Sequence, residues 1–119
     1  MADETAYDIV QRYHQAWTSG RIDTAMDFVA DGITCRAPGQ DLEGKDAYRQ
    51  FIAGFAPQLT GIADIAELVD GQSVALFYYP QTAATSKAPA AELFTVADGL
   101  ITDSVLIFDR LSYVPPAQS

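Results

Sequence analysis

Residues 91–110 read AELFTVADGLITDSVLIFDR. Two β-prone runs flank Asp98-Gly99, a dipeptide that accepts the positive φ angles of a tight hairpin turn. Alternation along the first run puts Glu92, Phe94 and Val96 on one face. The same alternation along the second run puts Asp103, Val105, Ile107 and Asp109 on one face. Glu92 and Asp109 then lie among apolar neighbours on a half-buried surface. A carboxylate withdrawn from water without a partner is costly, which makes both of them candidates for chemistry.

Working outward from this hairpin, the same period of two extends back to Leu59. Leu59 to Val69 reads as a strand, turned by Asp70-Gly71 into Val74–Tyr79, VALFYY. Gln81 to Pro89 is an Ala/Thr/Ser-rich connection longer than a hairpin loop. Ahead of Pro57 the period is near four. Tyr48, Phe51, Ile52 and Phe55 stripe a helix over about 45–56. Thr5 and Asp8 have the form of a capping box, followed by Ala6, Ile9, Val10, Tyr13 and Trp17 at helical spacing and closed by Gly20. A second helix carries Ile22, Ala25, Met26 and Val29 and closes at Asp31-Gly32. Ile33–Ala37 is a short strand with Ile33, Cys35 and Ala37 on one side, and a polar loop runs from Pro38-Gly39 to Gly44. Helices first and adjacent strands after give an α+β domain. Three N-terminal helices packed on a strongly curved mixed or antiparallel sheet would form a cone with an internal pocket. The whole chain, 1–119, is expected to be this one domain, with its core over about 5–112 and a flexible tail at 113–119.

Composition narrows the partners. The formal net charge of −9 would repel a phosphate backbone, so nucleic acid is excluded as an expected partner. Cys35 is the single cysteine, so no internal disulfide forms and a reducing, cytoplasmic setting is expected. No apolar run approaches the ~20 residues of a membrane span. His14 is the single histidine, which excludes a multi-histidine metal site; no metal and no cofactor are expected.

The order of motifs resembles a known family. Tyr13-His14-Gln15-Ala16-Trp17, Ser19-Gly20-Arg21, Phe28-Val29-Ala30-Asp31-Gly32, Leu42-Glu43-Gly44, Asp98-Gly99-Leu100-Ile101 and Phe108-Asp109 together resemble nuclear transport factor 2-like domains over about residues 5–112. This resemblance implies the cone fold, which hosts enzymes, ligand binders and scaffolds alike. Within it, ketosteroid isomerases pair a tyrosine with a protonated acid as an oxyanion hole. Tyr13 and Glu92 fall at those places, but the base position before Pro38 holds Ala37. SnoaL-like polyketide cyclases place an acid/base aspartate on the last strand, where this chain has Asp109. Limonene epoxide hydrolases need an arginine on a middle strand, and residues 59–79 contain none.

The resulting expectation is a cofactor-independent isomerase or cyclase acting on an apolar, cyclic small molecule. Asp109 would be the general acid/base, with Tyr13 and Glu92 stabilising developing negative charge. Trp17, Cys35, Tyr48, Phe51, Phe55, Phe94, Val105 and Ile107 would line the ligand pocket. His14 is expected at the rim. The alternative is a non-catalytic ligand-binding or association module of the same fold. In either case a homodimer through the outer sheet face, at Leu76, Leu106 and Phe108, is expected.

Overall fold

The computed structural model describes residues 5–109. Helix α1 spans Ala6–Thr18. The Asp8 N–H donates to the Thr5 hydroxyl at 3.1 Å, and the Thr5 N–H donates to the Asp8 carboxylate at 3.3 Å. This reciprocal cap satisfies two amides that the helix start would otherwise leave unpaired. Gly20, at φ 84°, ends the helical run. One face of α1 (Ala6, Ile9, Val10, Tyr13, Ala16 and Trp17) is buried.

Helix α2 is one short piece, Ile22–Met26, and Val29 already begins strand β1, Val29–Ala37. The expected helix through Val29 is corrected here: Asp31-Gly32 lies inside the strand rather than closing a helix. Val29, Ile33 and Cys35 are buried along β1, and β-branched residues favour this extended form over a second helical turn. The polar loop expected after Pro38 contains strand β2, Gln40–Glu43, folded back antiparallel on β1. Helix α3, Lys45–Phe55, passes into a 3-10 turn at Ala56–Gln58 that contains Pro57.

Strands β3 (Leu59–Asp70), β4 (Ser73–Thr82), β5 (Ala90–Ala97) and β6 (Leu100–Ile107) complete a six-stranded sheet in the order β2-β1-β6-β5-β4-β3. All pairings are antiparallel except β1 with β6, which is parallel. The sheet is mixed and curved, with the helices laid on its concave side. Asp98 and Gly99 both take positive φ, 52° and 79°, the signature of the tight turn read from the sequence.

One irregularity decides the site. Val96 pairs with Ile101, but the next pair is Thr95 with Asp103, so Thr102 is an extra residue on β6. A single inserted residue reverses which side chains face inward beyond it. Ile101 is buried before the bulge; Ser104 is buried after it, while Ile107 is 63% exposed. Asp103, Val105, Ile107 and Asp109 do share one face, as expected, but the bulge ahead of them makes it the outer face rather than the pocket face. Ser104, Leu106 and Phe108 turn inward, and Asp103, Ile107 and Asp109 are exposed. The outer sheet face is reassigned with it. Leu76 is buried, and Leu106 and Phe108 line the interior cavity. The residues beyond 109, including the expected tail at 113–119, lie outside the described part. Among the described residues, no helix is long and apolar enough to cross a membrane.

Candidate functional site

The alternation of β5 puts Glu92 on the concave side, opposite Leu106 on β6 and Leu76 on β4. Glu92 is only 2% exposed. Its carboxylate accepts a hydrogen bond from the hydroxyl of Tyr78 on β4. Burial in apolar surroundings pushes the Glu92 carboxyl up to about 7, opposed by the Tyr78 hydrogen bond, which favours the charged form. Near neutral pH this group is poised to give or take a proton.

Above Glu92 lies a small cavity of about 40 Å³, space for roughly three water-sized groups. Trp17 of α1, Phe51, Ile52 and Phe55 of α3, Tyr78 and Pro80 of β4, Ala90 of β5, Leu106 of β6 and Phe108 just beyond form its wall. Glu92 is the one carboxyl among them. The indole N–H of Trp17 is buried with no hydrogen-bond partner among the described residues.

Behind this cavity the cone is filled. Tyr13 and Tyr48 are fully buried, their hydroxyl oxygens 2.5 Å apart in a hydrogen bond. Phe94 packs its ring against Tyr13 at 5.5 Å, in an edge contact. Desolvation is the largest cause holding both phenols well above their usual range; for Tyr48 the next is the nearby Glu92. Both stay protonated and serve as neutral hydrogen-bonding groups. Cys35 is buried beside this plug, and burial pushes its thiol up to about 11, so it is not a nucleophile at neutral pH.

The expected site residues therefore separate. Glu92, Trp17, Phe51 and Phe55 meet at the cavity, whereas Tyr13, Tyr48, Cys35 and Phe94 form the packed interior behind it. Val105 and Ile107 lie on the opposite face of β6 from Leu106, Ile107 fully outward. Asp109 is exposed and is not part of the cavity wall. The Thr102 bulge is the reason.

Tyr78, Pro80, Leu106 and Phe108 are wall residues that sequence reasoning missed. The alternation of VALFYY offered a signal for Tyr78, since it shares the face of Val74 and Leu76. His14, expected at the rim, is buried instead. Its ring makes edge contacts with Tyr78 at 4.7 Å and Trp17 at 5.8 Å. Its Nε2 lies 3.7 Å from an Asp64 carboxylate oxygen. Burial lowers its pKa and Asp64 opposes the shift, so His14 is a neutral buttress behind two cavity residues. Among the described residues, no group of three or more His, Cys, Asp or Glu is arranged to hold a metal ion.

The family model described as SnoaL-like domain matches residues 10–104. The chain belongs to the SnoaL-like domain family. A crystal structure of a protein from Kribbella flavida is 41% identical, with a TM-score of 0.88 over 93% of this chain and 92% of that one. A protein from Jannaschia sp., provisionally named a SnoaL-like polyketide cyclase, is 18% identical over 94% of each chain, TM-score 0.72. A protein from Catenulispora acidiphila with a ketosteroid isomerase-like fold, crystallised in complex with trimethylamine, is 17% identical over 88% of each chain, TM-score 0.70. The last two likenesses establish the shared fold alone. No curated protein matches the chain.

Proposed function

We propose that this SnoaL-like domain takes a small, largely apolar molecule into the cavity over Glu92 and that Glu92 is the acid–base group of a cofactor-independent isomerase- or cyclase-type reaction. One observation carries this reading: a single carboxyl in an otherwise apolar wall, pushed up to about 7 by burial. Both protonation states are then populated near neutrality, the condition for efficient proton transfer. The neutral form can donate to an oxygen that gains charge, and the anionic form can accept a proton from carbon. Asp109 has no part in this reading, and Tyr13 acts only through packing. The size of the cavity favours a compact ligand, or the compact end of a larger one, over a fused polycyclic skeleton. That the Catenulispora acidiphila neighbour was crystallised with trimethylamine supports small ligands on this fold.

The test is a fragment screen by ligand-observed NMR, repeated from pH 5 to pH 8 on the wild type and on Glu92→Gln. Fragments that contact Trp17 and Phe108 and whose affinity depends on pH only in the wild type support the reading. A screen with no fragment at this cavity up to millimolar concentration contradicts it.

A second reading is favoured by one separate observation. The pairings Phe77–Ala91–Ile107 and Ala75–Leu93–Val105 run across β4, β5 and β6 on the outer face. Leu93 is 46% exposed and Ile107 63%. We propose this apolar patch as the contact between two copies of the chain. Sedimentation at micromolar concentration showing a dimer that Ile107→Lys dissociates supports it; a 12.9 kDa species alone contradicts it.

A further inference from the structure

We propose that the open edge of β3, beyond Asp64, is a docking site for an extended segment of another protein that carries lysine or arginine and adds a strand to the sheet. No residue of β3 lines the cavity over Glu92, so this site is separate from the chemistry proposed there.

β3 ends the strand order, and among the described residues nothing pairs with its other side. Asp70 and Ser73 close the hairpin to β4 around Gly71, which takes a φ of 61°. A two-residue turn is closed by a hydrogen-bonded pair, and such pairs alternate along an antiparallel ladder. Leu68 and Ala66 therefore bond to β4, and the N–H and C=O groups of Val69 and Glu67 point toward the open edge. A bulge at Ile65 interrupts that edge, which confines regular pairing to the half beyond it. The side chains of this half lack the alternation of a strand laid on a core. β4 alternates buried and half-buried residues, whereas every residue from Asp64 to Asp70 is exposed. Leu68 is 62% exposed and Val69 53%. Pairing with β4 puts Leu68 on the outer face, in a row with Ala75 and Leu93, and Val69 on the opposite face beside Val74. Apolar surface thus flanks the free main chain on both sides, which suits recognition by strand addition. Open edges are commonly blunted by lysine, proline or short length; β3 runs 12 residues and contains neither lysine nor proline.

The acids of this edge set the charge of the occupant. Asp64, Glu67 and Asp70 spread three carboxylates along about 20 Å of strand. Tyr7 of α1 hydrogen-bonds Glu67 and holds that carboxylate beside the edge. A second copy of β3 would bring the same three acids into one pairing, between molecules that each carry a net charge of −9. The other end of the sheet, β2, carries Asp41 and Glu43, so it fits no better. Like charges across a ladder are destabilising and opposite charges stabilising. A cationic strand from another protein satisfies both the main chain and the carboxylates.

The probe is a blocked peptide alternating lysine and valine over about seven residues, matched to the exposed stretch. One control replaces its lysines by glutamates. A second keeps the lysines but N-methylates alternate amides, which removes the main-chain donors of one edge. Proton–nitrogen spectra of the full chain are recorded with each. The lysine peptide at saturation should slow hydrogen exchange of the Val69 and Glu67 amides at least about ten-fold, and both controls should leave them within about two-fold. Glu67→Lys combined with Asp70→Lys, at two exposed positions, should weaken the lysine peptide about ten-fold and favour the glutamate peptide. The N-methylated peptide tests the main-chain pairing on the wild type alone, whether or not that variant folds. If the lysine peptide leaves these amides unprotected, or either control protects them equally, the docking role is overturned. Protection that rises with protein concentration before any peptide is added would assign the edge to a second copy and overturn it as well.

Discussion

Replacing Glu92 by glutamine should abolish a pH dependence of folding stability that the wild type carries. The Glu92 carboxyl is pushed from 4.5 up to about 7 in the folded domain, whereas the unfolded chain exposes it at its ordinary value. The folded state therefore holds the proton more tightly, and stability must fall as pH rises. The contribution is fully present below about 4.5, declines between 4.5 and 7, and is gone above 7. At about 1.4 kcal/mol per unit the whole effect is on the order of 3 kcal/mol, of which roughly 2–3 kcal/mol falls between pH 5 and pH 8. That is a large part of the stability of a small domain. Glutamine keeps the shape and an acceptor for the Tyr78 hydroxyl but does not titrate. Urea unfolding of both proteins at half-unit steps from pH 5 to pH 8 should give curves that diverge, with the variant gaining on the wild type toward alkaline pH. Parallel curves, with a double difference below about 0.5 kcal/mol, the ordinary scatter of inconsequential substitutions, would refute the reasoning that Glu92 is desolvated and enclosed.

Three further outcomes follow from the same geometry. Deleting Thr102 removes the extra residue and sets Asp103 directly after Ile101, so β6 alternates simply with Leu106 and Phe108 still inward and Ile107 still outward; circular dichroism and thermal melting should show a chain that still folds cooperatively, and a loss of cooperative folding would contradict the bulge assignment. Tyr13→Phe removes the hydrogen bond to Tyr48 and leaves a buried hydroxyl unpaired, so chemical denaturation should show a loss of about 1–3 kcal/mol while fragment affinity at the cavity stays unchanged. Asp109→Asn should leave both fragment affinity and any turnover found by screening intact, because this side chain is exposed and outside the cavity wall; a ten-fold loss would restore Asp109 to the site.

How far the sequence was legible follows from which signals are local. The capping box at Thr5 and Asp8, the Asp98-Gly99 turn and the stripe of α1 are written in neighbouring residues, and each stands as read. The inward position of Glu92 was equally readable, because β5 alternates without interruption. The end of α2 was not, since Val29 satisfies a helical stripe and a buried strand equally well and tertiary pairing with β6 decides between them. The face of Asp109 was misread for a different reason. A bulge costs one residue and leaves no compositional mark: Ile101-Thr102-Asp103 reads like any strand, and only the partner strand shows that Thr102 has no opposite number. Everything downstream changes face together, so one unseen residue exchanged Leu106 and Phe108 for Val105, Ile107 and Asp109 in the expected site. The cavity's small volume was also hidden, because the sequence lists the aromatic rings but not which of them fill the cone behind the pocket and which surround it. His14 belongs to the same class. A lone polar residue on an apolar helix reads as a rim group until Trp17, Tyr78 and Asp64 are seen closing around it.

The most direct measurement of the central claim is a carbon-detected NMR titration of the Glu92 side-chain carboxyl in the folded domain. The cavity's chemistry depends on this acid being enclosed against Tyr78 beneath apolar rings. The account predicts a titration midpoint near 7, with the Tyr78 ring resonances responding over the same pH range. A midpoint near the 4.5 of a solvated glutamate, with Tyr78 unresponsive, would contradict it.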